Sequence, residues 1–261
     1  MKKCKCKGRF FVFSAKHIYV AVVLLVLIFI LSLPLLEGQA LATVFFRTNR
    51  LIPVYCVEND NKEIAITFDA CWGSDKTQGI LDVLKENDVT ATFFLVGMWV
   101  DKNEELVRKI DEQGVEIGTH SNTHPDMAKL SQAEIDFELK KSIQKITNIT
   151  GKSVKVFRPP FGSYNNLLIN AASSNGLTTI QWDVDSLDWK GISADKICSN
   201  IFKKVNSGSI ILCHNNADHI LDALPTIITT LKSRGYTFDR VSDLLIKENF
   251  EINHAGKQVK K

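Results

Sequence analysis

The chain has 261 residues, which is enough for a hydrophobic anchor and one enzyme-sized domain but too few for two large domains. Its 45% hydrophobic and 23% charged residues are typical of a globular protein and exclude a disordered chain. The formal net charge is +3, and because residues 1–16 contribute six Lys or Arg and no acid, the remainder carries −3. That charge excludes a basic nucleic-acid-binding domain, and we expect no nucleic-acid partner.

An apolar run over residues 18–36 follows the basic start. These 19 residues can just cross a hydrocarbon core as a helix, and the basic flank places residues 1–17 in the cytoplasm. We therefore expect one N-terminal transmembrane helix, a juxtamembrane segment over 37–61, and a catalytic domain on the outer face of the membrane. The alternative is a cleaved signal peptide, for which Ala40 and Ala42 supply an A-x-A-like site. In both cases the rest of the chain is exported across the membrane.

Short β-rich runs alternate with helical periodicity over residues 62–248. The predicted strands are Ile64–Phe68, Ala91–Val96, Val115–Thr119, Val154–Phe157, Thr178–Trp182, Ser209–Leu212 and Thr237–Arg240. Among the helices, Ser131–Ile149 begins with a capping box formed by Ser131 and Glu134. The alternation predicts an α/β fold with about seven strands, either a closed barrel or an open doubly wound sheet. Residues 249–261 are interpreted as a polar C-terminal tail.

Polar side chains lie at or just past the C-terminal ends of five predicted strands, at the edge where α/β enzymes build active sites. They are Asp69, His120, Arg158, Asp183, Asp185, Asp188 and His214. A core histidine or a solvated aspartate explains any one of them alone. Five strands that end in this way predict that the side chains share one site.

The sequence H-S-N-T-H contains His120 and His124, a spacing that puts both imidazoles on one side of a helical turn, where they can bind one divalent ion. A pair of surface histidines is the alternative. Asp69 follows an apolar strand and is a candidate general base for a metal-bound water, with a helix N-cap as the alternative. Arg158 in R-P-P-F-G can hold a carboxylate in bidentate geometry, or else form a surface salt bridge.

The two prolines after Arg158 stiffen the turn, so that the backbone N–H of Phe161 can be directed at a developing oxyanion. His214 ends an apolar strand and is a candidate general acid, provided that a carboxylate keeps its pKa near the working pH. Asp188 is the candidate partner. Since the sequence has no G-x-S-x-G elbow, we set serine-triad chemistry aside.

Five motifs in order resemble the polysaccharide deacetylase family, also called the NodB-homology or carbohydrate esterase family 4 domain. They are T-F-D at 67–69, H-S-N-T-H at 120–124, R-P-P-F-G at 158–162, D-S-L-D-W at 185–189 and L-C-H at 212–214. The resemblance covers residues 62–245. It implies a distorted (β/α) barrel with about seven strands, a divalent metal ion such as zinc held by one aspartate and two histidines, and hydrolysis of an acetyl group from a sugar.

The resemblance implies the same roles for the residues discussed above and adds substrate contacts from three residues, which are Phe161, Trp189 and Leu212. Leu212 would line the acetyl pocket, and Trp189 shares with Asp188 the motif that orients the acid. The string T-F-D-A-C-W-G-S-D-K-T is similar to a branch of the family common in spore-forming bacteria. This implies peptidoglycan as the substrate and a cell-wall or sporulation role.

One departure from the family pattern affects the metal site. The family usually reads T-F-D-D-G, with the second aspartate as the third metal ligand, and here that position is Ala70. We expect Asp75 to supply the third ligand instead, because Gly73 allows the loop to turn back towards the strand end. Cys71 is the rival ligand. The alternative role of Asp75 is that of a helix cap. The alternative functions are deacetylation of chitin oligomers or acetyl-xylan, and an inactive cell-wall binding module.

Overall fold

The computed structural model describes residues 14–29 and 50–261, which belong to two compact units divided between residues 49 and 50. In the first unit, residues 15–29 form a helix, α1. No helix in the described ranges has both the length and the apolar character needed to cross a bilayer. The rest of the predicted 18–36 helix lies outside the described residues, as do most of the predicted segments 1–17 and 37–61.

The second unit is an α/β domain. Its strands are β1 (Cys56–Val57), β2 (Glu63–Ala70), β3 (Thr92–Leu95), β4 (Glu116–Thr119), β5 (Val156–Phe157), β6 (Thr178–Thr179), β7 (Val184–Asp185), β8 (Ile210–His214), β9 (Thr237–Phe238), β10 (Phe250–Ile252) and β11 (Lys257–Lys260). Its helices are α2 (Thr77–Glu86), α3 (Gly97–Lys102), α4 (Glu104–Glu112), α5 (Gln132–Thr150), α6 (Asn166–Ser174), α7 (Ala194–Phe202), α8 (Ile220–Ser233) and α9 (Val241–Leu244). Each of the seven predicted strands overlaps an observed one, and sequence periodicity did not predict β1, β7, β10 and β11.

The main sheet is parallel throughout, in the order β6-β5-β4-β3-β2-β8-β7, with β9 pairing to the start of β2. Its two edge strands, β6 and β7, are joined by residues 180–183 alone. The segment from β6 to β7 therefore pairs with β5 through β6 and with β8 through β7, which brings the two edges of the sheet together. This topology agrees with the predicted α/β class and with a distorted barrel.

Strand β2 is buried on both faces, as expected for a central parallel strand. Its alternate residues Ile64, Ile66 and Phe68 pack in the larger core cluster with the helices, whereas Ala65 belongs to a second cluster on the opposite face. Because side chains alternate along a strand, Asp69 projects from the same face as Ala65, opposite the main helical core. The register of β2 thus places this carboxylate inside the mouth of the barrel.

Residues 249–261, which the sequence analysis assigned to a polar tail, form an antiparallel hairpin of β10 and β11 instead. Strand β11 also pairs with β1, and the buried side chain of Gln258 exchanges two hydrogen bonds with the backbone of Ile246. Upstream, the backbone of Val54 bonds to Thr179 and Gln181. The folded domain therefore includes residues on both sides of the predicted 62–248 boundaries. The strands were missed because they are only two to four residues long.

Candidate active site

A pocket of about 540 Å³ lies at the carboxyl ends of the central strands. Eight of the twelve predicted site residues line it: Asp69, His120, His124, Phe161, Asp185, Trp189, Leu212 and His214. Arg158 and Asp188 lie directly behind this lining and are buried. Asp183, in contrast, accepts hydrogen bonds from Ser209 Oγ and the Ile210 N–H at the start of β8, so it serves that strand rather than the pocket.

Asp69 and Arg158 form a buried ion pair, with Arg158 Nη1 donating to Asp69 Oδ1 at 2.7 Å. Arg158 is 0% exposed and also donates to Thr67 Oγ1 and to the Gln181 carbonyl. Its guanidinium lies 4.1 Å from the centroid of the Phe94 ring. Burial acts to raise the pKa of Asp69, but the charge of Arg158 outweighs it with help from the nearby histidines, so the net pKa is lowered. The carboxylate is therefore ionised and fixed.

His214 and Asp188 form the second charged pair of the pocket. His214 Nδ1 lies 2.8 Å from Asp188 Oδ1, and the His214 backbone N–H donates to Oδ2 of the same carboxylate. Because a carboxylate only accepts, Nδ1 carries a proton and Nε2 is left to exchange one in the pocket. Burial acts to lower the pKa of His214, but the hydrogen bond and charge of Asp188 exceed that effect and raise the pKa overall. The side chain is thus set up to be protonated.

The two charged pairs are brought together by strand register. In the parallel pairing of β2 with β8, Asp69 lies opposite His214, and the Asn215 N–H donates to the Asp69 carbonyl. His214 is the last residue of β8 and Asp69 is the last but one of β2, so a proton acceptor and a proton donor stand side by side at the mouth of the barrel. This is the arrangement that the strand-end positions in the sequence predict.

His120 and His124 also line the pocket, with ring centroids 4.9 Å apart. His120 Nδ1 lies 2.7 Å from the Arg158 carbonyl, which can only accept, so the lone pair is on Nε2, at 3.6 Å from Asp69 Oδ2. Burial lowers the pKa of His120, and burial together with His120 lowers the pKa of His124 to about 4. Both imidazoles are neutral at pH 7.

The geometry that joins these histidines differs from the predicted helical turn. Residues 120–124 are not helical, and Ser121 and His124 have φ angles of 71° and 62°. The two left-handed residues fold the loop back on itself, and the Ser121 hydroxyl accepts the His124 N–H. The prediction of proximity is therefore confirmed, while the prediction of a shared helical turn is wrong.

Glu138 is a buried residue of this site that the sequence analysis missed. Its Oε2 accepts the backbone N–H groups of Asn122 and Thr123, both at 2.8 Å, and its Oε1 accepts the Thr123 hydroxyl. From the other side, the Gly97 N–H donates to the Ser121 carbonyl. The loop that carries both histidines is thus held between α5 and α3. The available signal was an acid on the apolar stripe of α5, where periodicity predicts a hydrophobic residue.

Gly97 is required for this packing. A Cβ added there would lie 2.4 Å from Asn122 Oδ1, closer than atoms in contact can lie, and 3.1 Å from Asn122 Cα, which is unusually tight. Only glycine lets the start of α3 approach the histidine loop so closely. The close packing of α3 against the loop that carries both histidines therefore depends on the absence of a Cβ at residue 97.

The residues present do not complete a catalytic zinc site. Among the residues described, no group of three His, Cys, Asp or Glu side chains is placed to hold a metal ion. Ala70 is fully buried and offers no donor atom. His120 and His124 supply two ligands, whereas a hydrolytic zinc normally takes three from the protein and one from water. The described residues therefore leave a hydrolytic zinc ion one protein ligand short.

Neither predicted substitute fills the third position. Asp75 is outside the pocket, with a side chain 73% exposed and 3.9 Å from Lys76 Nζ. The loop does not turn back because the Gly73 carbonyl is fixed by Trp99 Nε1 at 2.6 Å and Asn215 Nδ2 at 3.0 Å. Cys71 does line the pocket, and burial and the Asp69 charge raise its pKa to about 12, but among the described residues it forms no group of three metal-binding side chains with His120 and His124.

Comparison with known proteins places this site in a family. Residues 57–180 match the family described as polysaccharide deacetylase. The chain is 32% identical to the peptidoglycan-N-acetylmuramic acid deacetylase PdaA of Bacillus subtilis, over 76% of this chain and 77% of PdaA. It is 37% identical to the peptidoglycan-N-acetylglucosamine deacetylase PgdA of Listeria monocytogenes, over 70% of this chain but only 39% of the length of PgdA.

A solved structure extends the comparison to a protein described as inactive. The fold matches that of a CE4 family pseudoenzyme from Bacillus anthracis with a TM-score of 0.72 and 36% identity, over 74% of this chain and 69% of that one. A mutant of the same protein is described as having restored enzymatic activity. The family resemblance predicted from the five motifs is thus confirmed, and it includes both active and inactive relatives.

Proposed function

Since the chain belongs to the polysaccharide deacetylase family, we propose that it is a hydrolase that removes acetyl groups from the N-acetylated sugars of peptidoglycan. The observation that carries this proposal is the pairing of Asp69 with His214 across adjacent strands, each held by its own buried partner of opposite charge. The names of PdaA and PgdA support peptidoglycan as the substrate.

The chemistry follows from the protonation states of the two residues. Asp69 accepts a proton from water as the water oxygen bonds to the acetyl carbonyl carbon. The carbon–nitrogen bond then breaks, the sugar amine takes a proton from His214 Nε2, and acetate leaves. Arg158 keeps Asp69 ionised, and Asp188 keeps His214 protonated.

Three further residues are proposed to hold the substrate. Phe161 has a φ of 60° in the turn after Arg158, and its backbone N–H is the proposed donor to the oxyanion. Leu212, almost fully buried at the base of the pocket, is the proposed contact for the acetyl methyl group. Trp189 presents an exposed indole at the rim, where it is proposed to contact the sugar ring.

An inactive cell-wall binding module is the second candidate function. Ala70 favours it, because this position lacks the metal ligand expected from the family pattern, and so does the pseudoenzyme from Bacillus anthracis. The intact pairs Asp69–Arg158 and His214–Asp188 favour the enzyme, since binding alone needs neither a base nor an acid. Zinc dependence stays a prediction.

Acetate release separates the candidates. The full chain would be incubated with peptidoglycan fragments, chitin oligomers and acetylated xylan, each with added zinc and with a chelator. We expect acetate from peptidoglycan fragments. Release from chitin or xylan alone would replace the proposed substrate, and binding of glycan without any acetate would establish the binding module. Comparison of the zinc and chelator arms tests metal dependence.

We also propose that residues 18–36 anchor the protein in the cell membrane with the catalytic domain outside, which rests on the apolar run and its basic flank. Mass spectrometry of the protein purified from its native membrane is the test. A retained N-terminal segment supports the anchor. A mature N-terminus near Leu41 or Thr43 would identify a cleaved signal peptide instead.

A further inference from the structure

A second cavity, of about 220 Å³, adjoins the candidate active site and shares Cys71 and Trp72 with it. Its remaining walls come mainly from α3 and the residue that follows it, and include Met98, Trp99, Lys102 and Asn103. Because the two cavities have a common wall at Cys71 and Trp72, a ligand that extends from the first past Trp72 would reach the second. No role proposed above uses this space.

Trp72 presents a large apolar ring at this junction. Its side chain is 61% exposed, although the backbone on either side is held: Cys71 is half-buried, and the Gly73 carbonyl accepts bonds from Trp99 and Asn215. The held backbone, together with an edge contact to the His124 ring at a centroid distance of 6.5 Å, places a flat apolar surface beside the candidate active site. The C–H face of a sugar ring has the complementary shape and polarity.

Lys102 supplies the positive charge of the second cavity. Within the part of the chain that the structure describes, its ammonium group has no ion-pair partner, and the acids near it in sequence, like Asp75 in the loop after β2, pair with other cations. Those pairs are Asp101–Lys145 at 2.6 Å, Glu104–Arg108 at 3.6 Å, Glu105–Lys109 at 3.2 Å and Asp75–Lys76 at 3.9 Å. Lys102 is thus available to a negatively charged ligand.

We propose that this second cavity binds the sugar next to the one being deacetylated, with Trp72 stacking on its ring and Lys102 pairing with a carboxylate that the glycan carries there. The inference rests on the proposed function for its substrate class. It makes the site selective for acidic glycans, since neutral chitin oligomers offer Trp72 a ring but give Lys102 no partner. In peptidoglycan the carboxylate comes either from the lactyl group of muramic acid or from its attached peptide.

Equilibrium binding of the full chain to three glycans of equal length tests the proposal. The ligands are peptide-bearing peptidoglycan strands, strands stripped of peptide so that the lactyl carboxylate is free, and neutral chitin oligomers. The variants are Trp72→Ala, Trp72→Phe and Lys102→Gln, and Lys85→Gln on α2 is the matched control, an exposed lysine outside both cavities. Thermal melting of each variant checks that it folds.

For Lys102→Gln we expect about two- to fivefold weaker binding of acidic strands, the range of an exposed ion pair, and unchanged binding of chitin oligomers. For Trp72→Ala we expect roughly tenfold weaker binding of all three glycans, with partial recovery in Trp72→Phe. The acidic strand that loses affinity in Lys102→Gln identifies which carboxylate Lys102 binds. Added salt should weaken acidic binding to the wild type more than to Lys102→Gln.

Equal losses for acidic and neutral glycans in Lys102→Gln would overturn the charge assignment, and unchanged binding in Trp72→Ala would overturn the subsite. Neither outcome depends on turnover. If the chain binds with this selectivity but releases no acetate, the proposed hydrolysis fails and the subsite stands. If it releases acetate but Lys102→Gln and Trp72→Ala bind as the wild type does, the subsite fails and the proposed function stands.

Discussion

The two histidine environments in the pocket differ in the partner that each Nδ1 contacts. His214 faces the carboxylate of Asp188, which raises its pKa, whereas His120 faces the carbonyl of Arg158 and burial lowers its pKa. The first imidazole is set up to carry and release a proton. The second, with its neighbour His124, stays neutral and offers a lone pair, which is the state that metal ligands need.

One half of the site therefore has all its partners in place, and the other lacks a ligand. The acid–base half has its charges paired, with Asp69 held by Arg158 and His214 by Asp188. The ligand half has two neutral imidazoles and, at the third position, the buried methyl group of Ala70. Substitutions in each half show whether the two halves work independently.

Replacing Asp69 breaks the acid–base half and has the largest expected effect. Asp69→Asn keeps the shape of the side chain but removes the base, and we expect turnover to fall by about 10²-fold or more. It also leaves the fully buried Arg158 without a counter-charge, which should lower the free energy of unfolding by about 3 kcal/mol. Steady-state kinetics and urea unfolding measure the two effects.

The control for Asp69→Asn is Asp82→Asn, which changes the same charge on the exposed face of α2. It should alter neither turnover nor stability by a measurable amount. Near-normal turnover in Asp69→Asn would remove Asp69 from the mechanism. A normal unfolding free energy would mean that Arg158 finds another partner.

Adding a carboxylate at residue 70 tests the ligand half of the site. The family pattern has a carboxylate ligand at this position, so we expect Ala70→Asp to raise zinc affinity by about tenfold or more, because three protein ligands replace two. Without zinc, the buried carboxylate should lower stability by about 1–3 kcal/mol. Titration calorimetry and melting with zinc or a chelator give both values. Unchanged zinc affinity would show that the position of residue 70 does not face the metal.

Removing the partner of His214 changes the pH dependence. The pKa of His214 is raised in the fold, so the protonated acid is lost only as pH rises through that raised value. In Asp188→Asn burial prevails and the pKa falls, so the alkaline limb of kcat/KM should move to lower pH. The Asp188–His214 interaction also stabilises the fold below the unfolded His pKa of about 6.5, and this stability should be lost as pH rises through the folded pKa.

Asp222→Asn is the matched control for this pH profile, because Asp222 lies 3.2 Å from Nδ1 of a different histidine, the exposed His219. It should leave the alkaline limb in place. A limb that does not move in Asp188→Asn would assign it to a group other than His214.

The sequence predicted the acid–base half because strand ends are visible in the hydrophobic pattern. Asp69 and His214 each end an apolar run, and parallel pairing then puts them opposite one another. The histidine half was less predictable, because its geometry comes from left-handed residues at Ser121 and His124, which nothing in the spacing H-x-x-x-H specifies. Asp75 was mispredicted as a ligand for a similar reason: the path of its loop is set by hydrogen bonds from Trp99 and Asn215, far away in sequence.

Short elements were the other limit on prediction from sequence. β7 consists of Val184 and Asp185 only, too few residues for a period of two to be recognised. The C-terminal hairpin has alternating residues, but its exposed face makes it polar overall, and its pairing with β1 joins residues about 200 positions apart. Tertiary contacts, rather than local propensity, make these segments strands.

Glu138→Gln has the smallest expected effect and tests how the histidine half is held. The amide oxygen can still accept the Asn122 and Thr123 N–H groups, and the Thr123 hydroxyl can reverse and accept from the new amide, so the loop should keep its shape. What is lost is the charge on the acceptor, and charge-assisted bonds are roughly twice as strong as neutral ones. We therefore expect the free energy of unfolding to fall by about 1–2 kcal/mol, with the nuclear Overhauser contact between the rings of His120 and His124 retained.

The matched control is Glu134→Gln on the same helix. There a carboxylate accepts the N–H and hydroxyl of exposed Ser131, and solvent should keep the loss below about 1 kcal/mol. Equal losses in the two variants would mean that burial of Glu138 adds nothing, and loss of the ring contact in Glu138→Gln would mean that the negative charge, and not only the acceptor geometry, sets the position of His124.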